Sequence, residues 1–139
     1  MPEKRKLDRI LRVRTLQLGQ VRAHESAARA KVAQEEALRE RIAQLSANVA
    51  PVQASEFATS LIAAAHYRER LQQSAHAAER RVEVAEHGLF AAEEATREAK
   101  RDQTAVEKLI AREAAEAAVK AIRALENLPP SGKNRHDIC

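Results

Sequence analysis

Residues 57–124 read FATSLIAAAHYRERLQQSAHAAERRVEVAEHGLFAAEEATREAKRDQTAVEKLIAREAAEAAVKAIRA, and their apolar spacing decides the fold. Stepping by four and three alternately from Phe57 meets Leu61, Ala64, Arg68, Leu71, Ala75, Ala78, Val82, Ala85, Leu89 and Ala92. The same step continues through Thr96, Ala99, Gln103, Val106, Ile110, Glu113, Ala117, Lys120 and Ala124. Only Arg68, Thr96, Gln103, Glu113 and Lys120 interrupt the apolar set. An alternating 4-3 spacing averages ~3.5 residues, the repeat of a coiled coil. No proline falls inside the stretch, so the spacing predicts one continuous helix. A lone helix of this length encloses no pocket. It spans, transmits or assembles.

The rest of the composition agrees. Thirty of the 139 residues are alanine, and Phe57, Phe90 and Tyr67 are the whole aromatic content. Alanine is the strongest helix former, followed by the Leu, Arg, Lys, Gln and Glu that fill the remainder. Nothing in the chain suggests a strand.

N-terminal to the long stripe, Leu7, Ile10, Leu11, Leu18, Val21, Ala28 and Val32, then Leu38, Ile42, Leu45 and Val49, mark a first helix over about residues 4–46. Its two halves do not share one heptad phase, and a register slip, or stutter, between Val32 and Leu38 reconciles them. Gly19 lies inside this helix. Residues 47–55 form the break, where Pro51 removes a donor and Ser55 caps the next helix. The second helix runs over about 56–126 and stops at Pro129-Pro130; residues 127–139 form a disordered tail. The expected fold is therefore all-α, a two-helix antiparallel coiled-coil hairpin with the longer helix second. A parallel dimer kinked at Pro51 is the alternative. Helices of about 43 and about 71 residues span ~65 and ~105 Å. Folded back from a common turn, the first reaches to about Ala99. Residues 100–126, with Val106, Leu109, Ile110, Ile122 and Leu125, are then expected to overhang uncovered, as an interaction surface.

Charge is uneven. The chain carries a net +4, and in residues 1–22 Lys4, Arg5, Lys6, Arg9, Arg12, Arg14 and Arg22 are offset only by Glu3 and Asp8. Such a segment is either a solvated helix face or a contact for an acidic protein surface, a phosphate backbone or anionic lipid. Nucleic-acid binding is disfavoured because stacking aromatics are missing. The single cysteine, Cys139, offers no disulfide framework and is not placed for prenylation. No apolar run approaches the ~18 residues of a membrane span, and no secretory signal is visible, so a cytoplasmic protein is expected.

Chemistry-bearing motifs are missing. His24, His66, His76, His87 and His136 are scattered; His76 and His87 share a face but lie ~16 Å apart, too far to hold one metal. There is no Glu-x-x-His pair, phosphate-binding loop or nucleophile elbow. No enzyme activity, metal or cofactor is expected. Phe57 is in phase with Leu61, Ala64 and Arg68, and Gln34, Leu38, Arg41 and Leu45 repeat that spacing on the first helix. These two stripes either pack together near the turn or form a docking patch at the tip.

The N-terminal run Leu7-Asp8-Arg9-Ile10-Leu11-Arg12-Val13-Arg14, continuing through Leu16, Leu18, Val21, Glu25 and Ala28, resembles the start of the FliJ family of flagellar type III export proteins. It is equally similar to their YscO/SctO relatives in virulence and symbiosis secretion systems. The likeness covers residues 4–126 in size, basic start and longer second helix. It implies a stalk similar to the central γ subunit of rotary ATPases. The end bearing both termini would enter the hexameric export ATPase and promote ring assembly and hydrolysis, with Lys6, Leu7, Arg9, Leu11, Arg12, Arg14, Val106 and Ile110 meeting the ring. The opposite end would contact the FlhA-like export gate through Gln34, Leu38, Arg41, Leu45, Phe57, Leu61, Ala64 and Arg68. Here Arg41 and Leu45 replace tyrosines of the family pattern, Arg68 replaces a histidine, and the turn is shorter. The resemblance further implies export chaperones as partners, no nucleic acid, no membrane insertion, and a cytoplasmic position at the inner-membrane export apparatus. A generic coiled-coil scaffold is the rival reading from another class.

Overall fold

The structure, a computed structural model, describes residues 2–49, 58–130 and 132. Two helices account for nearly all of them: α1, Pro2–Asn48, and α2, Ala58–Glu126. There is no strand among the described residues. Both helices are rich in good helix formers, and Pro2 sits at the first position of α1, where its missing N–H costs nothing. The Val49 amide donates to the Leu45 carbonyl and extends the last turn of α1. At the end of α2, Asn127 N–H donates to Arg123 O and Leu128 N–H to Leu125 O, tightening the helix before Pro129-Pro130 ends it. The expected break at Pro51, the Ser55 cap, Phe57 and most of the tail (131 and 133–139) lie outside the described residues.

The two helices pack against each other along their length as an antiparallel pair. Arg14 meets Asp102, Arg29 meets Glu93 and Glu35 meets Arg81, so partner numbers fall as those of α1 rise. The seam of α2 is the stripe seen in the sequence. From Ala64 to Glu113 every position of the 4-3 step is buried or half-buried except Arg68. On α1 the seam positions Leu7, Leu11, Arg14, Leu18, Val21, Glu25, Ala28, Val32 and Glu35 are covered in strict 4-3 alternation, with Asp8 half-covered beside Leu7. The step from Glu35 to Leu38 is three, and Ile42 follows at four. The slip expected between Val32 and Leu38 is therefore present, centred on Glu35. It is a three-residue stammer that overwinds the coil locally, not the four-residue stutter.

With two helices among the described residues, each keeps one side in water. The buried apolar residues are Leu18, Ala78, Val82, Ala85, Ala92 and Val106. Four of these six are alanine or sit beside alanine in the seam, which lets the helix axes approach closely at the expense of buried area.

The longitudinal register corrects the expected overhang. Facing residues, including Gln103 with Thr15, have numbers that add to between 116 and 122. Pro2 is thus level with the turn around Glu113 and Glu116, and a shallow groove there is lined by Glu3, Lys6, Leu7, Ile10, Leu109, Arg112, Glu113 and Glu116. Val106 is 8% exposed and Ile110 half-buried, so neither overhangs. Helix α2 is 22 residues longer than α1 (69 against 47), and that excess is divided between the two ends. About three turns, residues 117–126, project beyond α1 at the termini end. About three more, near residues 58–69, project beyond Asn48 at the other end. Counting both helices from a common starting level at the turn had placed the whole excess at one end.

Candidate functional site

At the end holding the N-terminus, the residues expected to meet an ATPase ring divide into two groups. Lys6, Arg9 and Arg12 are exposed. Leu7, Leu11, Val106 and Ile110 belong to the seam that holds the hairpin together. Arg14 is half-buried between Gln17 and Asp102, its Nη1 3.2 Å from each acceptor. Next to it, Gln103 donates to the Thr15 hydroxyl at 3.2 Å. These two contacts form a polar layer across the seam.

Other residues supply the exposed surface of this end. Ile10, Val13 and Leu16 lie open on α1, and Leu109, Val119, Ile122, Leu125 and Leu128 on or just beyond α2. Arg9, Ile10, Val13, Arg14 and Gln17 line a shallow depression on α1. Arg5, Arg9, Arg12 and Leu16 follow one another at 4-3-4, a row on the side of α1 away from its seam. That row was readable in the sequence. Arg9 and Arg12 are among the expected ring contacts, and Arg5 and Leu16 extend them along the same side. A cationic row with open aliphatic neighbours suits a partner that offers both carboxylates and apolar side chains.

At the opposite end, the two stripes expected to act together are not side by side. Leu38 is half-buried beside Gln34, Glu35, Ala37, Arg41 and Arg81 in one small pocket. Leu61 lies roughly 30 Å further along α2 than Arg81. Leu61 and Arg68 are exposed and Ala64 half-buried on the projecting turns, where Ile62 and Tyr67 are open as well. Gln34, Arg41 and Leu45 are exposed. The surface here is consecutive along the rod: first the α1 stripe, then bare α2.

The middle carries the charged groups with perturbed titration. Glu35 is 3% exposed, and its Oε1 accepts from Lys31 Nζ at 3.0 Å and from Arg81 Nη2 at 3.1 Å. Its pKa is lowered, first by the Lys31 hydrogen bond and further by Arg81, against a desolvation that raises it. Oε2 finds no donor among the described residues. Glu25 is lowered too, first by the Thr96 hydroxyl and then by Arg29, whose Nη2 is 2.7 Å away. The Thr96 hydroxyl also lies 3.1 Å from the Ala92 carbonyl, so one proton serves either acceptor. No group of three His, Cys, Asp or Glu that could hold a metal occurs among the described residues. No helix among them is long and apolar enough to cross a membrane. No protein-family model, curated protein or solved structure matches this chain.

Proposed function

We propose that this chain is a non-enzymatic stalk of a type III protein export apparatus, cytoplasmic and peripheral to the inner membrane. In this reading the termini end enters the hexameric export ATPase and promotes ring assembly and hydrolysis. The far end reaches toward the FlhA-like gate, and export chaperones are further partners. The observation that carries the reading is the form of the termini end. There, bare α2 turns with Val119, Ile122 and Leu125 project past the start of α1, whose outer side carries the cationic row of Arg5, Arg9 and Arg12. An antiparallel rod with an unpaired apolar tip and an adjacent basic face suits insertion into a surface that is partly apolar and partly acidic. The resemblance of residues 7–28 to FliJ and YscO proteins supports the same assignment.

The projecting α2 turns are the inserted part, with Lys6, Arg9 and Arg12 meeting the rim. Leu7, Leu11, Val106 and Ile110 act by holding the hairpin closed. The test adds the purified chain to the export ATPase of its own organism and follows hydrolysis and ring assembly against concentration. A saturable rise that is lost on deleting residues 117–126 supports the proposal. No effect, together with a stable dimer by light scattering, sinks it in favour of a self-assembling scaffold.

A further inference from the structure

Midway along the rod, away from both ends, an open groove runs between the helices. His24, Ala28, Lys31 and Glu35 line it from α1, and Ala77, Arg80, Arg81, Val84, Ala85 and Gly88 from α2. Its floor is small and apolar, with Ala28 and Ala77 half-buried, Ala85 buried and Val84 71% exposed at the rim.

Two features of this groove have no explanation within the hairpin. Gly88 sits inside a 69-residue helix at an ordinary helical φ, where glycine is unfavourable relative to alanine. A Cβ built on it would meet nothing within 4 Å, so no neighbour among the described residues requires the glycine. The other is Glu35. Both of its cations crowd onto Oε1, and the buried Oε2 has no donor among the described residues. Buried carboxylate oxygens are ordinarily hydrogen-bonded.

The charge of the walls selects the occupant. Lys31, Arg80 and Arg81 exceed the single carboxylate of Glu35, which Lys31 and Arg81 already neutralise. A second copy docked groove to groove would set these cations against their own equivalents, which is unfavourable. We infer that this groove docks an acidic amphipathic helix of another protein. The helix lays its apolar edge over Ala28, Ala85 and Gly88 and turns its carboxylates to Arg80 and Lys31. The absence of a side chain at Gly88 lets the two backbones approach closely, as small residues do at helix–helix contacts. This inference does not depend on the stalk reading, since the groove lies clear of both projecting ends.

The probe is a synthetic helical peptide of four turns with leucines at i, i+4, i+7 and i+11 and flanking glutamates. Its lysine-for-glutamate analogue is the control. Binding to the full chain is followed by NMR shifts and titration at low salt. The acidic peptide should shift Ala28, Ala77, Ala85 and Gly88 and bind at least about tenfold more tightly than the lysine analogue. Gly88→Leu adds bulk to the groove at a position where an added Cβ meets nothing within 4 Å, and Arg80→Glu reverses the wall. Each should weaken binding about tenfold with helicity and melting temperature retained. Equal affinity for both peptides, shifts confined to the rod ends, or no binding up to about 1 mM would overturn the inference. So would dimerisation of the free chain that Gly88→Leu abolishes, because the occupant would then be a second copy.

Discussion

The Arg81 guanidinium of α2 lies 3.1 Å from the Glu35 carboxylate of α1, which is 97% buried at the one point where the α1 heptad slips. The contact crosses the hairpin and joins residues 46 apart in the chain. A carboxylate here is tolerated because Lys31, one turn earlier, and Arg81 both reach it. Apolar residues would hold the helices together at any heptad-spaced register. A buried acid with a cross-helix cation favours one.

Because the folded-state pKa of Glu35 is depressed, its contribution to stability is complete above the ordinary carboxylate pKa. The contribution is lost as pH falls through the lowered value. Glu25 works in the same direction. Thermal unfolding by circular dichroism should therefore show a melting temperature that is level through the mildly acidic range and drops below it. Glu35→Gln should flatten that drop. An unchanged acid limb in the variant would show that Glu35 carries none of it.

Leu18 and Leu16 sit two residues apart on opposite sides of α1, 3% and 70% exposed. Leu18→Ala should cost about 2–5 kcal/mol in urea unfolding, by lost burial and an imperfectly closed cavity. Leu16→Ala should stay within about 0.5 kcal/mol. Comparable losses in both would mean that the outer face of α1 is covered, by self-association for instance.

Gly88→Ala should stabilise the chain by about 0.4–1 kcal/mol, since the added methyl meets open space and the unfolded chain loses freedom. Chemical unfolding at matched protein concentration measures it. Destabilisation would indicate a close approach across the groove in the free protein.

Truncation after Glu116 should leave the melting temperature near that of the full chain, because α1 has no residue level with what is removed. Truncation after Ala105 removes Val106, Leu109 and Ile110, the partners of the first turns of α1, and should fray or unfold that end. Hydrogen exchange at Leu7 and Leu11 separates the two outcomes. Protection that survives the longer deletion would contradict the register.

Much of this architecture was legible in advance. The α2 stripe from Ala64 to Glu113 became the seam, and among the described residues α1 ends at Asn48 and α2 at Glu126. Arg14, Glu25 and Glu35 were harder to read. They occupy seam positions, yet a polar residue leaves no mark in an apolar pattern. Thr96 and Gln103 interrupt the apolar stripe, and in the fold they meet Glu25 and Thr15 across the helices.

By itself the sequence determined that two helices form, which face of each is apolar, and roughly where they end, because propensity and periodicity are local properties of the chain. Only the tertiary structure decided how far one helix slides along the other. An apolar 4-3 pattern matches its partner again after every heptad, so it selects a face and leaves the register open. The choice rests on contacts between distant residues, Arg14 with Asp102, Thr15 with Gln103 and Glu35 with Arg81. That choice buries Val106, divides the excess of α2 between both ends, and sets Gly88 opposite Ala28 across an open groove.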